Sequence, residues 1–495
     1  MTVSADQSGP VGERPPFGVG SKILYGIGAA AFGIKDNGFR FFLVFFYNQV
    51  VGLPVGWVTT ALAIALAIDS ICDPIIGQMS DYWRSKWGRR HPFMYAAILP
   101  AAILFILLWM PPIGLSQPMK LVYMVVLAIA SRTFITAFEI PSSALAAEVT
   151  GDYDERTKVL GWRVFFAWWG GLLIYIFALG LMVRPRPGFP DARFDPSVYM
   201  TYALVASTFI ALVMLVSSLG THRFIPWLPK PPAERPRNVV ALFKDMFQTL
   251  GSRHFGSIVG VNIFAAAAEG VGFSIYLYLV TFFWQLTTKQ TLILGTDAFI
   301  GSTLALVLAP LIVRGRDKKP MAMLMLVITI LLSATPLMLR LFHLFPENGS
   351  PALLPTLYAI AIVRGAAGIS CTILIVGMIA DVVEDSAART GKRAEGLIFA
   401  SMAFAQKCVS GLGAMTTGLI VSIVGLSGMA KPGQVPQETL DHLAIGYLIT
   451  LFSFYGGALF CLSFYRIGRV AHAENLAKLA AMEAEVAAVG EPPVP

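Results

Sequence analysis

An all-α integral membrane protein, with twelve transmembrane helices in two six-helix halves, is the fold class this sequence predicts. Three observations carry that reading. Hydrophobic residues make up 56% of the 495 and charged residues only 13%, about half the charged share of a soluble domain. Apolar runs of about 20 residues, the length a helix needs to cross the hydrocarbon core, recur along the whole chain. The mean hydropathy of +0.69 rules out a single water-soluble globule. The aromatic content (34 Phe, 15 Tyr, 9 Trp) rules out a disordered chain.

Taken in order, the spans fall at 22–49, 55–79, 92–114, 120–147, 160–183, 199–220, 255–285, 290–313, 320–343, 351–380, 395–426 and 440–466. The runs are continuously apolar rather than alternating, which speaks against a transmembrane barrel. The runs at 255–285 and 395–426 are long enough to tilt or kink. Residues 1–19 lack the basic start and cleavage site of a secretory signal, so the first helix is expected to be retained. An even number of spans puts both termini on one side. The loops on that side hold 19 Lys or Arg, against 7 on the other, and the positive-inside bias then makes it the cytoplasm. The expected organisation is a cytoplasmic segment 1–21, a first half 22–220, a cytoplasmic linker 221–254 containing PKPPAERPR (229–237), a second half 255–466 and a cytoplasmic tail 467–495. The formal charge of +8 belongs to these loops, and no nucleic-acid partner is expected; the partner is a lipid bilayer.

Ionisable residues inside the spans carry the functional signal, because a charge near the bilayer centre costs roughly 2.5–3.5 kcal/mol on insertion scales. Asp69 and Asp73 lie four apart in AIDSICDP, on one helical face. Two carboxylates there need a mobile cation, Na⁺ or a proton, or else an ion pair with a basic residue on another helix. Glu139, in TAFEIPSS, makes a polar stripe with Thr136 and Ser143 beside Pro141. It either lines a cavity or is satisfied by helix packing. Lys407 is a candidate counter-charge for Asp69, Asp73 or Glu139. Arg163 either joins that cavity or snorkels to the interface. Asp36 and Arg40 are four apart and either neutralise one another or leave Asp36 facing the cavity. Arg132, Glu269 and Arg364 are isolated charges whose partners the sequence does not place. Acids in the first six helices and a base in the second six fit a central site served by two rocking halves.

Enzyme signatures are missing from the sequence. The six histidines fall in loops, at span ends or in the tail, with no metal-ligand spacing. There is no phosphate-cradling Gly-rich loop and no Gly-x-Ser-x-Gly elbow. The four cysteines lie in apolar runs and read as reduced packing residues. No cofactor is expected, and the chain is not read as an enzyme.

Several motifs, in order and at spacing, resemble the glycoside–pentoside–hexuronide:cation symporters of the major facilitator superfamily. They are YGIGAAAFG (25–33) leading to VVGLP (50–54), DSICDP (69–74), GQMSDYWRSKWGRRHP (77–92), FEIP (138–141) and ADVVED (380–385), followed by Arg393, Glu395 and Lys407. The resemblance covers about Leu24 to Arg466. It implies a major facilitator fold and cation-coupled symport of a sugar or glycoside across the cytoplasmic (inner) membrane by alternating access, with the protein working as a monomer. It implies that Asp69 and Asp73, with Thr136 and Cys72 beside them, carry the coupling H⁺ or Na⁺. Substrate would be met by Glu139, Arg163, Lys407 and Asp36. Asp381, Glu384, Arg393 and Glu395 would form a cytoplasmic charged gate. Departures are informative. Gly33 stands where melibiose permeases carry a sugar-binding Asp, Cys72 replaces an Asn linked with Na⁺, and Ser143 replaces a stacking Trp. The alternative substrate is a lysophospholipid or other amphiphile, with the aromatic first helix (Phe39, Phe41, Phe42, Phe45, Phe46, Tyr47) either lining an acyl path or facing lipid. A non-transporting membrane sensor is the remote third reading.

Overall fold

The computed structural model describes residues 17–149, 153–228, 244, 255–390, 395–426, 429–468, 474 and 478. Most of the expected linker and tail therefore lie outside the described residues. Among the described residues the chain forms twelve long helices: α1 (19–50), α2 (Val55–Tyr82), α3 (His91–Leu108), α4 (Gln117–Glu148), α5 (Tyr153–Met182), α6 (Pro196–His222), α7 (Gly256–Phe283), α8 (Thr288–Val313), α9 (Lys318–Leu341), α10 (Leu353–Thr390), α11 (Glu395–Ile423) and α12 (Gln437–Ser463). Among those residues no strand forms beyond one isolated bridge between Arg186 and Phe189. Ten helices meet the length and apolarity of a membrane span on those criteria alone. The other two are α11 and α1. The latter is broken into short α, 3-10 and π pieces and carries Lys22, Lys35, Asp36 and Arg40.

Local chemistry sets the helix starts. Pro92, Pro118 and Pro196 occupy first-turn positions of α3, α4 and α6, where proline's missing N–H would be unsatisfied anyway. Asp195 caps α6 by accepting from the Ser197 amide at 2.8 Å. At α8, Thr287 and Gln290 form a reciprocal capping box.

Contacts divide the chain into two compact units, Met1–Arg237 with Ser427–Ala430, and Asn238–Leu426 with Lys431–Pro495. Within the first, α1 packs on α5 and α6, α2 on α4, and α3 on α4 and α6. Within the second, α7 packs on α11 and α12, α8 on α10, and α9 on α10 and α12. The scheme is the same, which marks an internal repeat. Even the ends of the leading helices match. Val51 N–H donates to Phe46 O at 3.0 Å and Leu53 N–H to Tyr47 O at 2.9 Å, while Trp284 and Leu286 donate to Leu279 and Val280, both at 2.9 Å.

The aromatic stripe of α1 fills the interior of the first unit. Phe39, Phe42, Phe45, Phe46 and Tyr47 are buried. Phe46 lies 4.6 Å from the Tyr199 ring and 5.4 Å from Trp109, and Phe42 lies 5.7 Å from Tyr202. The expectation that these rings face lipid or line an acyl path is therefore corrected: they are core, and only Phe41 is half-buried. The outer faces instead carry residues such as Leu99, Ile103, Val126, Val164 and Trp168, all exposed, as a multi-pass membrane protein requires. The four cysteines are free thiols.

Candidate functional site

Two acid–arginine pairs, each backed by an aromatic ring of α1, sit inside the first unit. The first joins α2 to α4. Asp69 is 1% exposed, and a carboxylate so buried must be paired and hydrogen-bonded. Arg132 Nη2 donates to its Oδ2 at 2.7 Å. Thr136 Oγ1 donates to its Oδ1 at 2.9 Å. Arg132 and Thr136 are four apart on α4, so both face α2. The Arg132 guanidinium lies 5.1 Å from the centroid of the buried Phe39 ring, a cation–π distance. Asp73, one turn along α2, is half-buried. Cys72 Sγ lies 3.9 Å from Thr133 Oγ1.

The second pair joins α4 to α5. Arg163 Nη2 donates to Glu139 Oε1 in a very short contact. Its Nη1 donates to Ser142 Oγ at 2.8 Å, and its guanidinium lies over the Tyr25 ring at 5.5 Å. Tyr25 in turn donates to the Ser142 carbonyl at 2.9 Å. Glu139 Oε2 is buried and has no hydrogen-bond partner. Two expectations change here. Arg163 does not snorkel: α5 begins at Tyr153 rather than 160, so Arg163 lies nearly three turns inside the helix, and it is buried. The Thr136–Glu139–Ser143 stripe also divides. Thr136 serves Asp69, Glu139 serves Arg163, and Ser143 Oγ bonds back to its own helix at Ile140 O, 2.8 Å.

The remaining expected substrate residues are less concentrated. Asp36 is paired with Arg40 across one turn at 2.8 Å, which selects the neutralising alternative. Gly33 is where α1 and α5 touch. A Cβ there would collide with the Ala167 carbonyl oxygen and stand 2.9 Å from Gly171 N, so the position given to a sugar-binding Asp in melibiose permeases is filled by α5 backbone. Lys407 is half-buried on α11, in the second unit.

Of the expected gate, Asp381 is described with its partners. It is buried, Lys318 Nζ donates to both its oxygens at 2.6 and 2.9 Å, and Tyr465 OH donates to it at 3.2 Å. Burial, then the neighbouring Asp381 carboxylate, holds the Tyr465 hydroxyl above the usual phenol range, so it remains a donor. The side chains of Glu384 and Glu395, and Arg393 altogether, lie outside the described residues. The first unit has a matching cluster: Arg89 and Arg90 hold Glu148 at 2.7 and 3.0 Å, and Arg90 also pairs with Asp81 and donates to Ser80.

Arg132, Phe39, Tyr25, Ser142, Lys318 and Glu148 are the site residues that sequence reasoning did not assign. One signal was present. Arg132, Thr136 and Glu139 are spaced i, i+4, i+7, a single helical face. The spacing aligns them but does not say which helix they meet.

The geometry is that of buried acids and bases inside a bundle of apolar helices. A family model described as MFS/sugar transport protein matches residues 24–469. The uncharacterized symporter sll1374 of Synechocystis is 27% identical, over 94% of this chain and 97% of its own. The isoprimeverose transporter of Lactiplantibacillus pentosus is 22% identical, over 87% and 85%. The xylose transporter XylE from E. coli, in an inward open conformation, superposes with a TM-score of 0.57 at 13% identity, over 90% and 96%, and shares the fold. A match from the first helix to the last, on a repeat of six helices and six, identifies a multi-pass transporter rather than an enzyme: the chain belongs to the MFS/sugar transport protein family.

Proposed function

We propose that this protein is a secondary active transporter that carries a sugar or glycoside together with a cation, H⁺ or Na⁺, across the cytoplasmic membrane, with both termini in the cytoplasm and a single chain as the working unit. The observation that carries the reading is Glu139. Its Oε2 is a buried acceptor with no donor, and an unmet buried polar atom costs about 1–3 kcal/mol. A substrate hydroxyl would supply the missing hydrogen bond, while the Arg163 guanidinium beside it donates to a second substrate oxygen. Acid and arginine side by side are suited to a polyol, whose hydroxyls both donate and accept.

Coupling is read as linkage. Thr136 contacts Asp69 and stands three residues from Glu139 on one face of α4. A cation acting at the α2 acids therefore adjusts the same helix face that presents Glu139, and substrate and cation raise one another's affinity. The halves then alternate access around that site. The amphiphile alternative loses the acyl path along α1, because the α1 aromatics are packed core.

Reconstituted vesicles test this reading. A panel of labelled sugars, glycosides and lysophospholipids is offered under an imposed proton or Na⁺ gradient. At least one sugar or glycoside should accumulate above equilibrium and leak back when an ionophore collapses the gradient, and Glu139→Gln should abolish accumulation. Equilibration that ignores every gradient, or uptake confined to lysophospholipid, would overturn the proposal.

A further inference from the structure

We propose that Arg132 is a tethered counter-cation that takes the place of an alkali-metal ion at Asp69, so that this chain does not bind Na⁺ at that carboxylate. The inference rests on the cation-coupled reading above and refines which ion can act there. It starts from the occupancy of Asp69. One carboxylate oxygen receives the Arg132 guanidinium at 2.7 Å and the other the Thr136 hydroxyl at 2.9 Å. A hard cation needs several oxygen ligands converging on it. Here the principal anionic ligand is already turned toward a resident positive charge.

That charge is built into the fold. The Arg132 side chain is 3% exposed, and it lies against the buried Phe39 ring. Its Nε is buried without a hydrogen-bond partner, so the guanidinium is held mainly through its contact with Asp69. The arginine stays charged at any physiological pH, which makes it a permanent occupant. A second cation at about 4 Å from it, at an effective dielectric near 20, would bind on the order of a thousand-fold more weakly than at the bare carboxylate. The neighbouring ligand set agrees. Cys72 offers sulfur, a soft donor that alkali-metal ions do not favour.

The test measures Na⁺ binding without transport. Thermal midpoints of the purified full-length protein are compared in sodium and choline chloride at equal ionic strength, so that screening cancels and only specific binding to the folded state remains. The wild type should show the same midpoint in both salts. Arg132→Ala should gain a saturable, Na⁺-specific upward shift, and adding Asp69→Asn should remove it. Should Arg132→Ala fail to fold, Arg132→Gln preserves most of the packing against Phe39 and carries the same expectation. A saturable Na⁺ shift in the wild type that Asp69→Asn abolishes would overturn the proposal, as would a folded Arg132 variant that ignores Na⁺. The outcome is separable from the symport reading. Absence of gradient-driven uptake sinks symport and leaves these midpoints as they are, whereas Na⁺ binding by the wild type sinks only the tethered cation.

Discussion

Neutralising Arg163 alone should damage the protein far more than neutralising Arg163 and Glu139 together. The Arg163 side chain is 7% exposed and that of Glu139 21%. In Arg163→Gln, the carboxylate loses the donor to Oε1 while Oε2 is already buried and unmet. Removing one partner of a buried ion pair costs about 3–5 kcal/mol, chiefly through the charge left behind. The lost bond to Ser142 and the contact with Tyr25 fall within that truncation cost. In the double variant Glu139→Gln/Arg163→Gln no charge remains, and replacing such a pair with neutral groups is often close to neutral. Two amides can still hydrogen-bond across the same gap, so the double variant should lie within about 1–2 kcal/mol of wild type. Thermal unfolding of purified protein reads the difference. For a unit of this size each 1 kcal/mol shifts the midpoint by roughly 2–4 °C, so the single variant should fall on the order of 10 °C and the double should recover most of it. Stability and function then separate: under the substrate role proposed for Glu139 and Arg163, the double variant should be folded yet should not accumulate sugar. A double variant as unstable as Arg163→Gln would refute the reasoning, since the loss would then come from packing rather than from an orphaned carboxylate.

Other substitutions probe the surrounding contacts. Thr136→Val is nearly isosteric and removes one hydrogen bond to the Asp69 carboxylate, worth about 1.5–3 kcal/mol. Ser143→Ala, which removes only a bond to its own helix, should stay within about 0.5 kcal/mol, and equal midpoints for the two would contradict the assignment. Gly33→Asp should reduce the yield of folded protein in size-exclusion profiles, because the new side chain meets the Ala167 carbonyl and overpacking costs about 1–3 kcal/mol or more. A well-folded Gly33→Asp protein would show that α1 and α5 can separate. Asp73→Asn should insert in the membrane normally and equilibrate substrate without concentrating it, and full gradient-driven accumulation by that variant in vesicles would exclude Asp73 from coupling.

Much of the fold was legible because lipid imposes one requirement on the backbone: every polar group is satisfied within a helix. That requirement turns composition into spans. It does not fix where helices end outside the hydrocarbon, where polar residues continue a helix at no cost. The α5 helix therefore starts at Tyr153, through DERTK, and α10 runs on to Thr390. The same solvent explains the misreading of the α1 aromatics. Lipid tails are as apolar as a protein core, so hydrophobicity cannot tell Phe46, packed on Tyr199, from an outward ring such as Trp168. Site acids were legible from their cost. Their partners were not, because whether Asp69 meets Arg132 or a base on another helix is set by the rotation of α2 against α4, which sequence spacing along one helix does not record.

The internal repeat sharpens where the chemistry sits. The same offset in numbering separates Phe46 from Leu279, Asp36 from Glu269, and Glu148 from Asp381. At the loop ends the two copies keep one device: basic residues ahead of α3 or at the start of α9 hold an acid near the end of α4 or α10. In the spans they diverge. The first copy buries Asp69 with Arg132, at 0% and 3% side-chain exposure. The second has an acid on α8 and an arginine on α10 as well, but Asp297 and Arg364 stand 3.6 Å apart at 14% and 44%. A looser, wetter pair of this kind contributes little to stability, whereas breaking the tight one orphans a charge in a dry interior. The two units thus share a helical frame, while the offset that relates them places Ser302 and Gly365 where the first unit has Asp69 and Arg132. Substitutions at Asp69, Arg132, Glu139 and Arg163 should accordingly be far less tolerated than substitutions at Asp297 and Arg364.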